Sequence, residues 1–138
     1  MKTTNLKLND NGNELSFEVE PMDAFAAEEW LMRAGMLIGR NLMNLDGANG
    51  VEKLLSALTK VEYEKAKPLL DELLGCCSLI EGNMKTRITA DSCRGRINNP
   101  MTILRLRIEA GRLNFGFLFD GAPLNSLTAE GSTSPAEK

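Results

Sequence analysis

Residues 5–44 read NLKLNDNGNELSFEVEPMDAFAAEEWLMRAGMLIGRNLMN, and this stretch decides the fold. Leu6 and Leu8 alternate with polar neighbours, as do Leu15, Phe17 and Val19. Between the two runs lies Asp10-Asn11-Gly12-Asn13, where Asn-Gly supplies the positive φ that a two-residue hairpin turn requires. The pattern predicts a β-hairpin over 5–20 with one apolar face. Two strands alone are marginal in water, so that face must rest on the helices that follow. Pro21 ends the second strand, and Asp23 is placed to cap a helix that the periodicity carries to about Asn44.

At 100° per residue this first helix carries two apolar stripes. Ala27, Trp30, Ala34, Leu37, Ile38, Leu42 and Leu45 form a broad one, wide enough to face a core. Phe25, Met32, Met36 and Met43 gather on roughly the opposite side, with Glu29, Arg33 and Arg40 on one flank and Glu28 on the other. Methionine is unbranched and adaptable, which suits a surface that accepts a variable apolar partner. The second stripe is therefore either a partner or self-association surface, or the sign of a helix buried all round. Gly35 and Gly39 lie on a third edge.

Further along, Asp46 to Gly50 is a loop by composition. Val51, Leu54, Leu55 and Leu58 recur at i, i+3, i+4 and i+7, the pattern of a short amphipathic helix. Thr59 and Glu62 have capping-box spacing, which predicts a helix starting there and passing Tyr63, Ala66, Leu70, Leu73, Leu74 and Cys77. Pro68 within it predicts a kink or break. Asn99-Pro100 opens the last helix, with Ile103, Leu106, Ala110, Leu113 and Phe117 on one face and Leu104, Ile108 and Phe115 beside it. The spacing of Phe115, Phe117 and Phe119 is not helical and suggests an end near Gly116. These rings either anchor the core or form a docking edge. From Pro123 onward the chain is small and polar, and a flexible, disordered C-terminal tail is expected over 122–138.

The fold expected is thus mainly α within the α+β class. It is a compact helical domain of four to five helices over 1–121, with an N-terminal β-hairpin and helices from about residue 22. The 138 residues suffice for one domain.

Composition narrows the chemistry. The chain contains no histidine, which removes Ser/His/Asp and Cys/His nucleophiles, imidazole proton shuttles and His-containing zinc sites. Cys76, Cys77 and Cys93 lack metal-ligand spacing and read as reduced, partly buried residues. Phosphate-cradle, dinucleotide, nucleophile-elbow and EF-hand motifs are absent from the sequence. Neither an enzyme, a cofactor nor a metal is expected. No run approaches the length of a membrane span, and a cytosolic protein is expected.

The formal net charge of −3 is composite. Between Glu81 and Arg112, seven basic residues (Lys85, Arg87, Arg94, Arg96, Arg105, Arg107 and Arg112) face three acids, a local net of +4 against −7 elsewhere. Such asymmetry can dock an acidic partner or a nucleic-acid backbone, or it is a solvated face. No aromatic residue is interleaved to stack a base. A small regulatory or nucleic-acid-binding module using 85–112 is the alternative function.

The runs SFEVEPMDAFAAEEWLMRAGMLIGRN (16–41) and GRLNFGFLFDGAP (111–123) resemble the tail assembly chaperones of long-tailed bacteriophages. The resemblance covers about residues 14–122 and rests on element order, length and the closing Asn-Phe motif. It implies a non-enzymatic protein that binds and solubilises the tape measure protein, helps recruit tail tube subunits, self-associates, and works in the host cytoplasm without entering the mature virion. Such proteins often have a longer, frameshifted form, whose junction the polar tail would tolerate. The family has no active site, so the resemblance implies none here. Asn114, Phe115 and Phe119 match its closing motif in a fold-defining role. The candidate partner-binding residues are accordingly Phe25, Met32, Met36, Met43, Phe115 and Phe119.

Overall fold

A computed structural model describes residues 3–39 and 50–119, and of residues 117–119 only the backbone. The hairpin forms where the alternation places it, with β1 at Thr4–Asp10 and β2 at Asn13–Val19. The register pairs Leu6 with Phe17 and Leu8 with Leu15, so both apolar sets share one face. Asn11 (φ 53°) and Gly12 (φ 94°) make the turn, a left-handed pair that a branched residue would resist. The Asn9 side chain accepts the Gly12 N–H at 2.9 Å.

The hairpin is half of a larger sheet. After α1 (Ala24–Ile38), α2 (Gly50–Leu58) and α3 (Tyr63–Leu74), the chain returns as β3 (Cys77–Glu81) and β4 (Met84–Arg87). The four strands run antiparallel in the order β1-β2-β3-β4. Val19 pairs with Cys77 and Phe17 with Leu79, which makes β2 a central strand. The short α4 (Ala90–Cys93) and the long α5 (Pro100–Phe119) complete the described fold.

The α+β class and the N-terminal hairpin are as expected, while the expectation of a single hairpin is corrected by β3 and β4, which make a four-stranded sheet. The third helix was expected to run past Cys77. It stops at Leu74, because the next apolar residues, Cys77 and Leu79, repeat every second position and extend the sheet rather than a helix face. That helix also starts later than the Thr59 spacing suggested. The Thr59 hydroxyl instead donates to the Ser56 carbonyl at 2.6 Å and closes α2, while the Glu62 carbonyl receives the Lys65 and Ala66 N–H groups. α3 therefore begins at Tyr63 and runs through Pro68 without the expected break. The acceptor that Pro68 deprives is the carbonyl of exposed Glu64, which water can satisfy. α5 likewise continues past Gly116 to Phe119. The expected continuation of α1 to Asn44 and the tail over 122–138 lie outside the described residues.

The helices cover one face of the sheet. α5 packs on α2, α3, β1 and β2. The core gathers Phe17, Val19, Cys77 and Leu79 from the sheet, Trp30 and Ala34 from α1, Leu54 and Leu58 from α2, Leu69 and Leu73 from α3, and Leu106, Ala110 and Phe115 from α5. The opposite face of the sheet is ionic: Lys85 reaches Glu18 and Glu20, each at 2.6 Å.

Two buried polar side chains lock α5 in place. Asp10, at the end of β1, accepts the Asn98 N–H (2.9 Å), the Asn99 N–H (2.8 Å) and the Thr102 hydroxyl (2.9 Å). It thereby satisfies donors at the start of a helix remote in sequence, supplementing Asn99, whose own side chain accepts the Met101 N–H. At the other end, Asn114 accepts the Met22 N–H at 2.7 Å and donates to the Ala110 carbonyl at 2.9 Å, holding the chain just before α1 against α5.

Candidate partner-binding face

α1 owes its start to Asp23, whose carboxylate accepts the Ala26 N–H at 2.9 Å. It ends on Gly39 (φ 65°, ψ −131°), a positive-φ conformation open to glycine because it carries no Cβ, with the Gly39 N–H returning to the Gly35 carbonyl. The inward residues Trp30, Ala34 and Ile38 are buried, while Ala27 and Leu37 lie at the boundary. The Trp30 indole N–H donates to the Leu69 carbonyl at 2.9 Å, so the largest side chain of the core is satisfied as well as packed.

The outward side of the same helix is apolar too. Phe25 is 86% exposed, Met36 78% and Met32 56%. They fall within about 40° of arc on the helical wheel. Tyr63, Met84, Met101 and Leu104 are also exposed, but they are spread over α3, β4 and α5. α1 is thus a helix with one core face and one open apolar face, not a helix buried all round.

Glu28 and Glu29 bracket the open stripe, one on each side, and both are exposed. Arg33, the nearby cation, is engaged with Glu72 of α3 at 2.7 Å. Beside the stripe, on the Glu28 side, lies a groove of about 420 Å³ lined by Pro21, Met22, Ala24, Ala27, Glu28, Leu31, Asn114 and Phe115. Sequence reasoning missed this groove, because it is made where the C-terminal part of α5 meets the start of α1.

Of the six residues singled out by sequence, the structure brings Phe25, Met32 and Met36 together on the surface. Phe115 is a correction. It is fully buried and stacks on Trp30, since the helix continues through Gly116 and turns this ring inward. It lines the groove from its buried side. Met43 and the side chain of Phe119 lie outside the described residues.

The basic segment is quenched internally. Lys85 pairs with Glu18 and Glu20, Arg87 with Glu20, Arg96 with Glu81, Arg107 with Asp71, Arg112 with Glu52 and Glu109, Arg105 with Glu109, and Arg94 with Asp91. Each of its seven cations thus faces a carboxylate, four of which (Glu18, Glu20, Glu52 and Asp71) come from elsewhere in the chain.

The three cysteines are free thiols and buried. Burial pushes the Cys76 thiol up, and the Cys77 thiol up to about 12, the reverse of what a nucleophile needs. Among the described residues no cluster of three or more His, Cys, Asp or Glu could hold a metal ion, and no helix is long and apolar enough to cross a membrane. Comparison of the chain with models of protein families, with curated proteins and with solved structures returns no match.

Proposed function

We propose that this protein is a tail assembly chaperone of a long-tailed bacteriophage. In this reading it is a non-enzymatic protein of the host cytoplasm that covers the apolar helical faces of the tape measure protein and helps recruit tail tube subunits. The observation that carries the reading is the open line of Phe25, Met32 and Met36 on a helix whose other side is already packed. A contiguous apolar line left exposed on a helix marks an interaction surface. Two thioether side chains on the line suit a partner that repeats apolar faces without one fixed sequence. The closing Asn-Phe pair supports the family resemblance in its own way. Asn114 holds the approach to α1 and Phe115 holds Trp30, the fold-defining role that the resemblance implies.

The alternative, a nucleic-acid module over 85–112, has less behind it. Cations already neutralised by carboxylates of the same fold offer little field to a phosphate backbone.

The test is co-expression with the tape measure protein encoded in the same genome, comparing the natural chain with a Met32→Glu, Met36→Glu double variant. The natural chain should keep the tape measure protein in the soluble fraction, and the double variant should lose this effect while retaining its helical circular dichroism. Equal performance by both chains would overturn the reading. Binding should also persist at high ionic strength, whereas capture through phosphate contacts would fall steeply.

A further inference from the structure

Resting on that reading of the α1 face, we infer that its partner segment is an amphipathic helix whose apolar stripe is flanked by Lys or Arg. Glu28 and Glu29 stand on either side of the Phe25–Met32–Met36 line and are exposed. Neither forms an ion pair among the described residues, whereas each cation of the 85–112 segment has one. Two exposed carboxylates bracketing an apolar line, unpaired among the described residues, form a complementary template for an apolar line bracketed by cations. Glu28 also stands at the rim of the groove beside the stripe. A bulky apolar side chain of the partner fits that groove, with a basic residue one turn away meeting Glu28.

The same charges argue against a second copy of the chain as occupant. Packing two α1 helices through this stripe brings four carboxylates together, and the cation within the described part of α1, Arg33, is already held by Glu72. Like charges at a contact select against that pairing.

The test uses the full chain and two synthetic helical peptides with the same leucine stripe, one flanked by lysines and the other by glutamates. Affinities are measured by fluorescence anisotropy at low and high salt. The lysine-flanked peptide should bind at least about tenfold more tightly than the glutamate-flanked one, with the gap closing as salt rises. A Glu28→Lys, Glu29→Lys variant, shown by circular dichroism to be folded, should reverse the preference. Equal binding of both peptides, or no reversal, would overturn the charge inference while leaving the apolar face standing. Failure of both peptides to bind would overturn the face as well. Two further results would also overturn the inference by naming another occupant. One is a dimer in sedimentation analysis that Met32→Glu dissolves, and the other is peptide binding only after proteolysis removes residues beyond 119.

Discussion

Trp30 of α1 and Phe115 of α5 stack with ring centroids 4.8 Å apart and planes inclined by 24°. Both are fully buried, so this pair joins the helix that carries the open stripe to the helix that spans the core. Replacing Phe115 with Ala should cost about 3–5 kcal/mol of unfolding free energy, because the ring leaves a cavity against an indole that cannot follow it. Met36→Ala, on the open side of α1, should change stability by less than about 0.5 kcal/mol. Urea denaturation followed by tryptophan fluorescence measures both. Similar losses for the two variants would show that the outward face is packed after all.

Asp10 makes the fold sensitive to acid. Burial alone would raise its carboxyl, but the hydrogen bonds from Asn98, Asn99 and Thr102 outweigh burial and hold it below the usual carboxylate range. A depressed folded pKa stabilises the protein above the unfolded value of about 4, and that stability is lost as pH falls through the folded value. Asp10→Asn should therefore cost about 2 kcal/mol at pH 7, since the amide cannot accept from every donor and loses the charge. Its stability should also fall less steeply below pH 4 than that of the natural chain. Glu20, lowered chiefly by Lys85, should leave part of the acid limb in place. Parallel acid limbs for the two proteins would remove Asp10 from this role.

The parts of the fold that could be read from sequence are those with local causes. Asn11-Gly12 sets a turn by backbone conformation, while Asp23 and Asn99-Pro100 open helices by satisfying donors within a turn. The second hairpin escaped because Leu73, Leu74 and Cys77 fit a helical period as well as Cys77 and Leu79 fit a strand period. What separates the two is pairing with Val19 and Phe17, which lie far away in the chain. The turn residues Gly82 and Asn83 carried the signal, since Gly-Asn between two such runs marks a hairpin. The pairing of the 85–112 charges was out of reach for a similar reason. Arg112 and Lys85 are basic in any local count, yet their carboxylates are Glu52 and Glu20. The second stripe on α1 was legible by periodicity, but its openness was not, because only the exposure of Phe25, Met32 and Met36 in the fold separates a surface from a core face. The groove beside it was not legible either, because Asn114 and Phe115 line it from far along the chain.

The buried thiols should be chemically silent in the folded chain. With the Cys77 thiol pushed up to about 12, its thiolate fraction at pH 8 lies roughly a thousandfold or more below that of an unfolded cysteine. Iodoacetamide labelling of the native protein at pH 8, read by mass spectrometry after digestion, should leave Cys77 unmodified over a period in which the guanidinium-unfolded chain is fully alkylated. Rapid native labelling at Cys77 would show that β3 opens readily.

Gly111 and Gly116 both lie in α5, and only Gly116 should gain stability from alanine. A Cβ at Gly111 would stand 2.7 Å from Val51 Cγ1, while one at Gly116 meets nothing within 4 Å. Val51 is buried on α2 and its short branched side chain has little room to turn away. The intrinsic helix preference of alanine over glycine, up to about 1 kcal/mol, should therefore appear in full at Gly116→Ala as a stabilisation. At Gly111→Ala the same gain is opposed by an overpacking cost of about 1–3 kcal/mol, so the variant should be neutral to destabilised by about 2 kcal/mol. Trimming the obstacle tests the cause: in a Val51→Ala background, Gly111→Ala should become stabilising, giving a coupling between the two sites that Gly116→Ala lacks. Additive effects of Val51→Ala and Gly111→Ala would mean that α2 and α5 shift apart freely, and that glycine at 111 does not set their spacing.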